Sequence, residues 1–232
     1  MRVAFLGLGL IGGSVARALA GHPGEWRAAA WTPSGAGPRL AAEEGVIELA
    51  ASTPAAAVEG AGLVVLAAPP LDCLDLLRLL AGPLRSSLAT GAVITDVAST
   101  KGAISGLADE IGLRFVGGHP MAGRDTDGFA ASDAAMFHGR PWVVVPSRDE
   151  EAVSRVEELV AACGARAVRM TAAEHDRAVA AISHLPLVLS AALVEAVAGT
   201  PGSRRADWPA AAALAAGGWA GMTRLARGDV DM

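Results

Sequence analysis

The chain has 232 residues, 52% hydrophobic and 19% charged, with 24 acids against 19 bases and a formal net charge of -5. That length and apolar content call for a sizeable buried core, while a slightly acidic balance with scattered arginines argues against nucleic acid as a partner. No basic leader precedes the first apolar run and no unbroken apolar window reaches about 18 residues, so no membrane partner and a cytoplasmic location are expected.

The first predicted elements are an apolar strand over residues 2–6 and a segment with helical spacing over 10–20. A second strand at 27–31 leads into a helical stretch around 38–44. LVVLA (63–67) and VITDV (93–97) read as buried strands, each followed by a helix, 71–80 and 102–111. Short strands at 115–117 and 142–145 follow, then a helix over 150–163 and a last strand near 166–169. Repeated strand and helix predict an α/β chain with a doubly wound, mostly parallel sheet, because parallel neighbours need a crossover connection. Past Met170 the character changes. Residues 171–198 read as one long alanine-rich helix, opened by Thr171 as N-cap with Glu174 three residues on, a capping box. Pro186 is expected to kink or end it. The loop TPGSRRADWP then leads to another apolar helical piece, so the expected organisation is a dinucleotide-binding domain over 1–170 and a smaller all-helical domain over 171–232. The second part is too short to close a helical domain alone; either it is truncated or a partner chain completes it.

GLGLIGG (7–13) follows the opening strand and opens the first helix, the context that gives a GxGxxG pattern its meaning. Gly7 permits the tight turn, Gly9 lets a pyrophosphate approach the backbone, and Gly12 lets the helix pack on the strand; free N–H groups at the helix start then face the phosphates. This is the Rossmann-type fingerprint for NAD or NADP. About twenty residues on, where an acid would hold the ribose 2′-OH of NAD, stands Thr32. With Ser34, and Arg39 if it reaches, a neutral residue there would tolerate the 2′-phosphate of NADP; Arg39 as a merely exposed helix charge is the equal alternative. The candidate cofactor-binding residues are Gly7, Leu8, Gly9, Leu10, Ile11, Gly12, Thr32, Ser34, Ala68 and Pro69.

In an open parallel sheet the ligand lies beyond the carboxyl ends of the strands. AAPP (67–70), ASTKG (98–102) and GGHPMAG (117–123) all follow predicted strands and so converge on one rim. That brings Ser99, Lys101, which is the only lysine, and His119 together, with His119 in a glycine-lined turn where an α/β enzyme would keep a base. Ser99 also reads as a helix N-cap. Cys73 and Cys163 lie far apart without CxxC spacing, which predicts reduced buried thiols and no metal site.

Six phrases together carry a family resemblance: GLGLIGGSVA, TDVASTKG, FVGGHPMAGRDTDGF, MFHGRPWVVVP, ISHLP and TRLARGD. In their order and spacing the chain resembles the prephenate dehydrogenases, a group that includes arogenate dehydrogenases. The resemblance implies oxidative decarboxylation of a cyclohexadiene to a phenol, with hydride passing to NAD or NADP, in tyrosine biosynthesis. It implies that His119 accepts the proton of the ring hydroxyl and that Ser99 makes a second hydrogen bond to it. Arg224 would bind a substrate carboxylate, with Arg227 as the fallback, while Ser183, His184 and Lys101 would contact substrate and Asp125 would gate the pocket through an ion pair. A homodimer is implied as well. Leu187 stands where many prephenate-using members carry a second histidine, and Gly221 where members often carry an acid, which leaves prephenate and arogenate both open. A related hydroxyacid reductase would need a lysine in the helical domain, and none follows Lys101. A non-catalytic dinucleotide sensor would keep the glycine fingerprint alone.

Overall fold

The computed structural model describes residues 1–22, 24–200 and 202–227, the last without its side chain. The chain begins with strand and helix in alternation: β1 (Arg2–Leu6), α1 (Leu10–Ala20), β2 (Arg27–Trp31), α2 (Ala36–Glu43), β3 (Leu49–Ala50), α3 (Pro54–Val58), β4 (Leu63–Leu66), α4 (Pro70–Ala81), β5 (Val93–Asp96), α5 (Gly102–Glu110) and β6 (Phe115–Val116). All six strands pair in parallel in the order β3-β2-β1-β4-β5-β6, the doubly wound Rossmann-type arrangement. β4 and β5 are buried at every residue, which is why they read as continuous runs rather than alternating ones. Along β1 the pleat divides the residues between two cores: Val3 and Phe5 join one cluster, Ala4 and Leu6 the other.

Two elements of this half escape a periodicity reading. β3 has only two residues, and α3 only five. Thr53 starts α3 by accepting the Ala56 N–H at 3.2 Å, with Pro54 at the first helical position.

The later strands form a second sheet rather than extending the first. β7 (Gly118–Pro120) runs antiparallel to β8 (Pro141–Val144), and β8 pairs in parallel with β9 (Arg166–Arg169) across α6 (Glu150–Ala162). His119 therefore lies on a strand opposite Val143, not in a turn. The chain leaves the main sheet at Gly117 and Gly118. A Cβ at Gly118 would come within 2.6 Å of the Asp96 carbonyl oxygen, so no side chain fits where the chain crosses.

α7 (Ala172–Val179) opens with the expected reciprocal cap: the Thr171 N–H donates to Glu174 Oε2 at 2.9 Å and the Glu174 N–H to Thr171 Oγ1 at 3.2 Å. A π-helical segment, Ala180–His184, leads into α8 (Leu185–Ala198), so the helix runs unbroken from Ala172 to Ala198. Pro186 does not end it. The wide π turn lies just before the residue that lacks an N–H, which is how a helix takes up such a defect. A short hairpin of β10 (Gly199–Thr200) and β11 (Ser203–Arg204) precedes α9 (Trp208–Ala213), α10 (Gly217–Met222) and a 3-10 turn at Arg224–Arg227. By contact the chain divides into two compact units, Met1–Asp176 and Arg177–Met232.

At Gly7, φ is +102° and a Cβ would stand 2.2 Å from the Ala67 carbonyl oxygen. Gly7→Ala is expected to lower the unfolding free energy by about 2 kcal/mol or more, since it adds backbone strain to a clash with backbone. Gly9→Ala, whose Cβ would meet nothing within 4 Å, should cost less than half as much in the same urea titration.

Candidate active site

The glycine turn has the shape an anion needs. The Gly7 N–H is tied to the Trp31 carbonyl at 2.9 Å, and a Cβ at Gly12 would lie 2.8 Å from Ala67 Cβ, so turn and helix press against the β4 end. Gly9 faces open space. α1 carries no acid in its first turn and no side chain caps it, which leaves its first N–H groups available to phosphate oxygens. Leu8 is buried, and Leu10 and Ile11 pack against the core, so in this turn the backbone is what a ligand would meet. Ala68 is half-buried and Pro69 exposed at the end of β4. Leu8, Gly9, Thr32 and Ser34 line one cleft of about 410 Å³ with Gly37 and Phe129. These residues fit a dinucleotide.

Next along the rim, Asp96 closes β5 and is fully buried. One carboxylate oxygen accepts the Gly118 N–H at 3.0 Å; the other accepts the Ala98 N–H at 3.2 Å and pairs with the Lys101 ammonium, also fully buried. A buried charge is tolerable only with such partners. Asp96 thereby holds the ASTKG turn and the residue before His119 at the same time.

His119 is oriented from the opposite side by its ring. Its Nδ1 lies 2.8 Å from Nε2 of His175, the two rings meeting edge to face at 74°, and Nδ1 of His175, fully buried, lies 2.8 Å from Asp176 Oδ1. A carboxylate only accepts, so His175 carries its proton on Nδ1 and accepts at Nε2. His119 then donates from Nδ1, which leaves the lone pair on its Nε2. This is the tautomer a general base requires. Asp176 also accepts the backbone N–H groups of Lys101 and Gly102, each at 2.8 Å, and so caps α5 from 74 residues downstream. Burial works against ionising Asp176, but the hydrogen bonds from His175, Gly102 and Lys101 outweigh it and hold the carboxyl below its usual range.

The remaining sequence-derived candidates are placed unevenly. Lys101, expected to contact substrate, is instead buried against Asp96 and serves the frame. Ser99 is exposed on the same turn and does not cap α5, a role taken by Asp176. Asp125 is exposed, and the ion pair in its loop is Arg124 with Asp133. In the second unit Ser183 is exposed and His184 half-buried on the π segment; Arg224 is exposed at the start of its turn, which is held to α8 by the Ala226 N–H donating to Ser190 Oγ at 3.1 Å. The Arg227 side chain and the Gly228–Asp229 end of TRLARGD lie outside the described residues. Burial pushes the Cys73 and Cys163 thiols up to about 12, which makes them unreactive. Asp96, His175 and Asp176 are parts of the candidate site that sequence reasoning misses. The phrase EHD at 174–176 is the one local signal, a histidine and an acid beside a recognised capping box.

Comparison with known proteins gives a consistent neighbourhood. Residues 35–169 match the family model described as prephenate dehydrogenase, nucleotide-binding domain, and residues 171–232 the one described as prephenate dehydrogenase, dimerization domain. A prephenate dehydrogenase of Bacillus subtilis (strain 168) is 35% identical over 95% of this chain and 59% of its own length. One from Lactococcus lactis subsp. cremoris (strain MG1363) is 31% identical over 98% and 62%. The chain thus spans about six tenths of the length of these relatives. Among solved structures, prephenate dehydrogenase from A. aeolicus in complex with hydroxyphenyl propionate and NAD+ superposes with a TM-score of 0.83 at 27% identity, covering 100% of this chain and 79% of that one. Synechocystis arogenate dehydrogenase gives 0.79 at 30%, covering 100% and 81%.

Lys101→Met would strand the Asp96 charge and is expected to cost about 3–5 kcal/mol in urea denaturation; a loss below about 1 kcal/mol would mean the pair is not what holds the rim. Asp176 has a folded pKa below its unfolded one, so its contribution is present above about pH 4 and is lost as pH falls through the folded value. Asp176→Asn should therefore be destabilised relative to the parent at pH 7, with the gap narrowing at pH 3.

Proposed function

The chain belongs to the prephenate dehydrogenase family, and from that membership we propose that it oxidatively decarboxylates prephenate to 4-hydroxyphenylpyruvate in tyrosine biosynthesis, with NAD or NADP held at the glycine turn. The observation that carries the proposal is the Asp176–His175–His119 chain, which orients the His119 ring through its Nδ1 on the strand just after the main sheet. A bound nicotinamide supplies the hydride acceptor. His119 Nε2 accepts the ring hydroxyl proton as that carbon becomes a carbonyl and the ring carboxylate departs as carbon dioxide. The imidazolium so formed keeps its Nδ1–H on His175, and the nearby Asp176 carboxylate stabilises the positive charge through it. Ser99, on the turn that Asp96 holds, orients the same hydroxyl.

The substrate side of the reading is carried over from the family. Arg224 is assigned to a substrate carboxylate, where a planar fork gives a charge-assisted pair, and Ser183 and His184 to the pocket lining. Asp125 stays assigned to the pocket gate, without the ion pair first expected for it. Residues 1–170 would serve as the dinucleotide-binding part and 171–232 as the substrate and dimerisation part. Arogenate, giving tyrosine directly, is the second reading, kept open by Leu187 standing where many prephenate-using members carry a histidine.

A homodimer belongs to the same proposal. Ile182, Leu185, Leu187, Val188 and Leu189 are exposed along a helix that is, by length and composition, apolar enough to cross a membrane. The first turns of that helix are engaged with the catalytic rim through His175 and Asp176, which favours a second copy as its cover and a cytoplasmic enzyme.

The test is turnover of prephenate and arogenate with each of the two cofactors, using the full chain. Reduction of cofactor with release of carbon dioxide is expected from at least one combination, and silence in all four sinks the enzyme reading. His119→Ala should lower kcat by about 10²- to 10⁴-fold while dinucleotide affinity, measured by calorimetry, stays within two-fold. His175→Phe, which removes the acceptor for Nδ1–H, should lower kcat by about ten-fold or more and move the acidic limb of the pH–rate profile, where the base becomes protonated, with KM little changed. An unaltered pH profile would count against the tautomer role.

A further inference from the structure

We propose that the preferred dinucleotide carries a 2′-phosphate, NADP rather than NAD, and that Thr32, Ser34 and Arg39 select it. The inference rests on the dinucleotide reading of the glycine turn and deepens it. In this fold the side chain just past the second strand faces the adenosine ribose and discriminates by charge. Here β2 ends at Trp31 and the next residue is Thr32, half-buried, its Oγ1 accepting the Gly35 N–H at 3.1 Å. Among the described residues that line the adjoining cleft, none is an acid. A carboxylate there would repel a phosphate dianion; a hydroxyl does not.

Arg39 supplies the attractive part. From α2 its guanidinium folds back over the loop, where Nη1 makes one long hydrogen bond, 3.4 Å, to the Ser34 carbonyl. Gly35 makes room for it: φ is +66°, and a Cβ there would sit 2.7 Å from Arg39 Nη1. Glu44, just beyond the same helix, pairs with Arg17, and among the described residues no carboxylate lies within ion-pair distance of Arg39. The cation is thus exposed, held by a contact weak enough to yield, and still has donors to offer, beside a cleft that leads from Gly9. A guanidinium in that position matches phosphate oxygens in a fork.

Calorimetry with NADP+, NAD+, adenosine 2′,5′-bisphosphate and adenosine 5′-monophosphate tests this independently of turnover. NADP+ is expected to bind at least about ten-fold tighter than NAD+ at low salt, as one charge-assisted phosphate contact implies. The bisphosphate should displace it at concentrations where the monophosphate does not. Arg39→Ala should shrink the NADP+ to NAD+ ratio by about ten-fold, and Thr32→Asp should reverse it. NAD+ binding as tightly as NADP+ to the unaltered protein, or Arg39→Ala weakening both equally, would overturn the assignment. Binding of neither dinucleotide would overturn the dinucleotide reading along with it.

Discussion

A carboxylate and an ammonium sealed from water at the end of one strand dictate most of the structure around them. Asp96 and Lys101 must satisfy each other and the remaining lone pairs, and among the described residues the further donors to Asp96 are the backbone N–H groups of Ala98 and Gly118. The cost of an imperfect arrangement is several kcal/mol, larger than any surface interaction in the molecule could recover. Two chain segments that arrive from different strands are therefore fixed in one place, and His119 inherits its backbone position from that demand. Gly118 answers the same constraint, because there the chain passes the Asp96 carbonyl too closely for a side chain.

Position alone does not make a base. A histidine at the rim could hold its proton on either nitrogen, and the choice is made by the other ring partner. His175 and Asp176 make it here, and the Asp176 carboxylate does so while satisfying two N–H groups at the start of α5. One acid thus links helix capping to the proton inventory of the rim. The route Asp96, Lys101, Asp176, His175, His119 and back through Gly118 closes on itself through hydrogen bonds and the Gly118–His119 peptide link, so each member is tied to its neighbours on two sides.

Much of the sheet is legible in the sequence because parallel strands buried on both faces leave uninterrupted apolar runs such as LVVL, and because the crossovers between them need helices. The glycine turn is legible for a steric reason that acts within seven residues. His119 stands out through its neighbours Gly117, Gly118 and Pro120. The hidden part acts at long range: Asp176 lies 74 residues from Gly102 and His175 56 from His119, and no local pattern encodes such pairings. The same reason explains Lys101, whose rim location is readable while its direction, inward to Asp96, depends on a partner five residues away across a turn. The second sheet escapes a sequence reading because an apolar strand looks alike whichever sheet receives it, and β3 because two residues have no period.

The reciprocal cap at Thr171 and Glu174 has a consequence for how this chain can vary. It pins the first turn of the helix, and each residue added to a helix rotates all downstream positions by about 100°. His175 and Asp176 reach their separate partners at only one rotational setting of that turn. The few residues between the end of β9 and Asp176 therefore behave as a fixed-length spacer: substitutions there can be absorbed, whereas a single insertion or deletion would swing both groups away together and leave His119 without a defined proton.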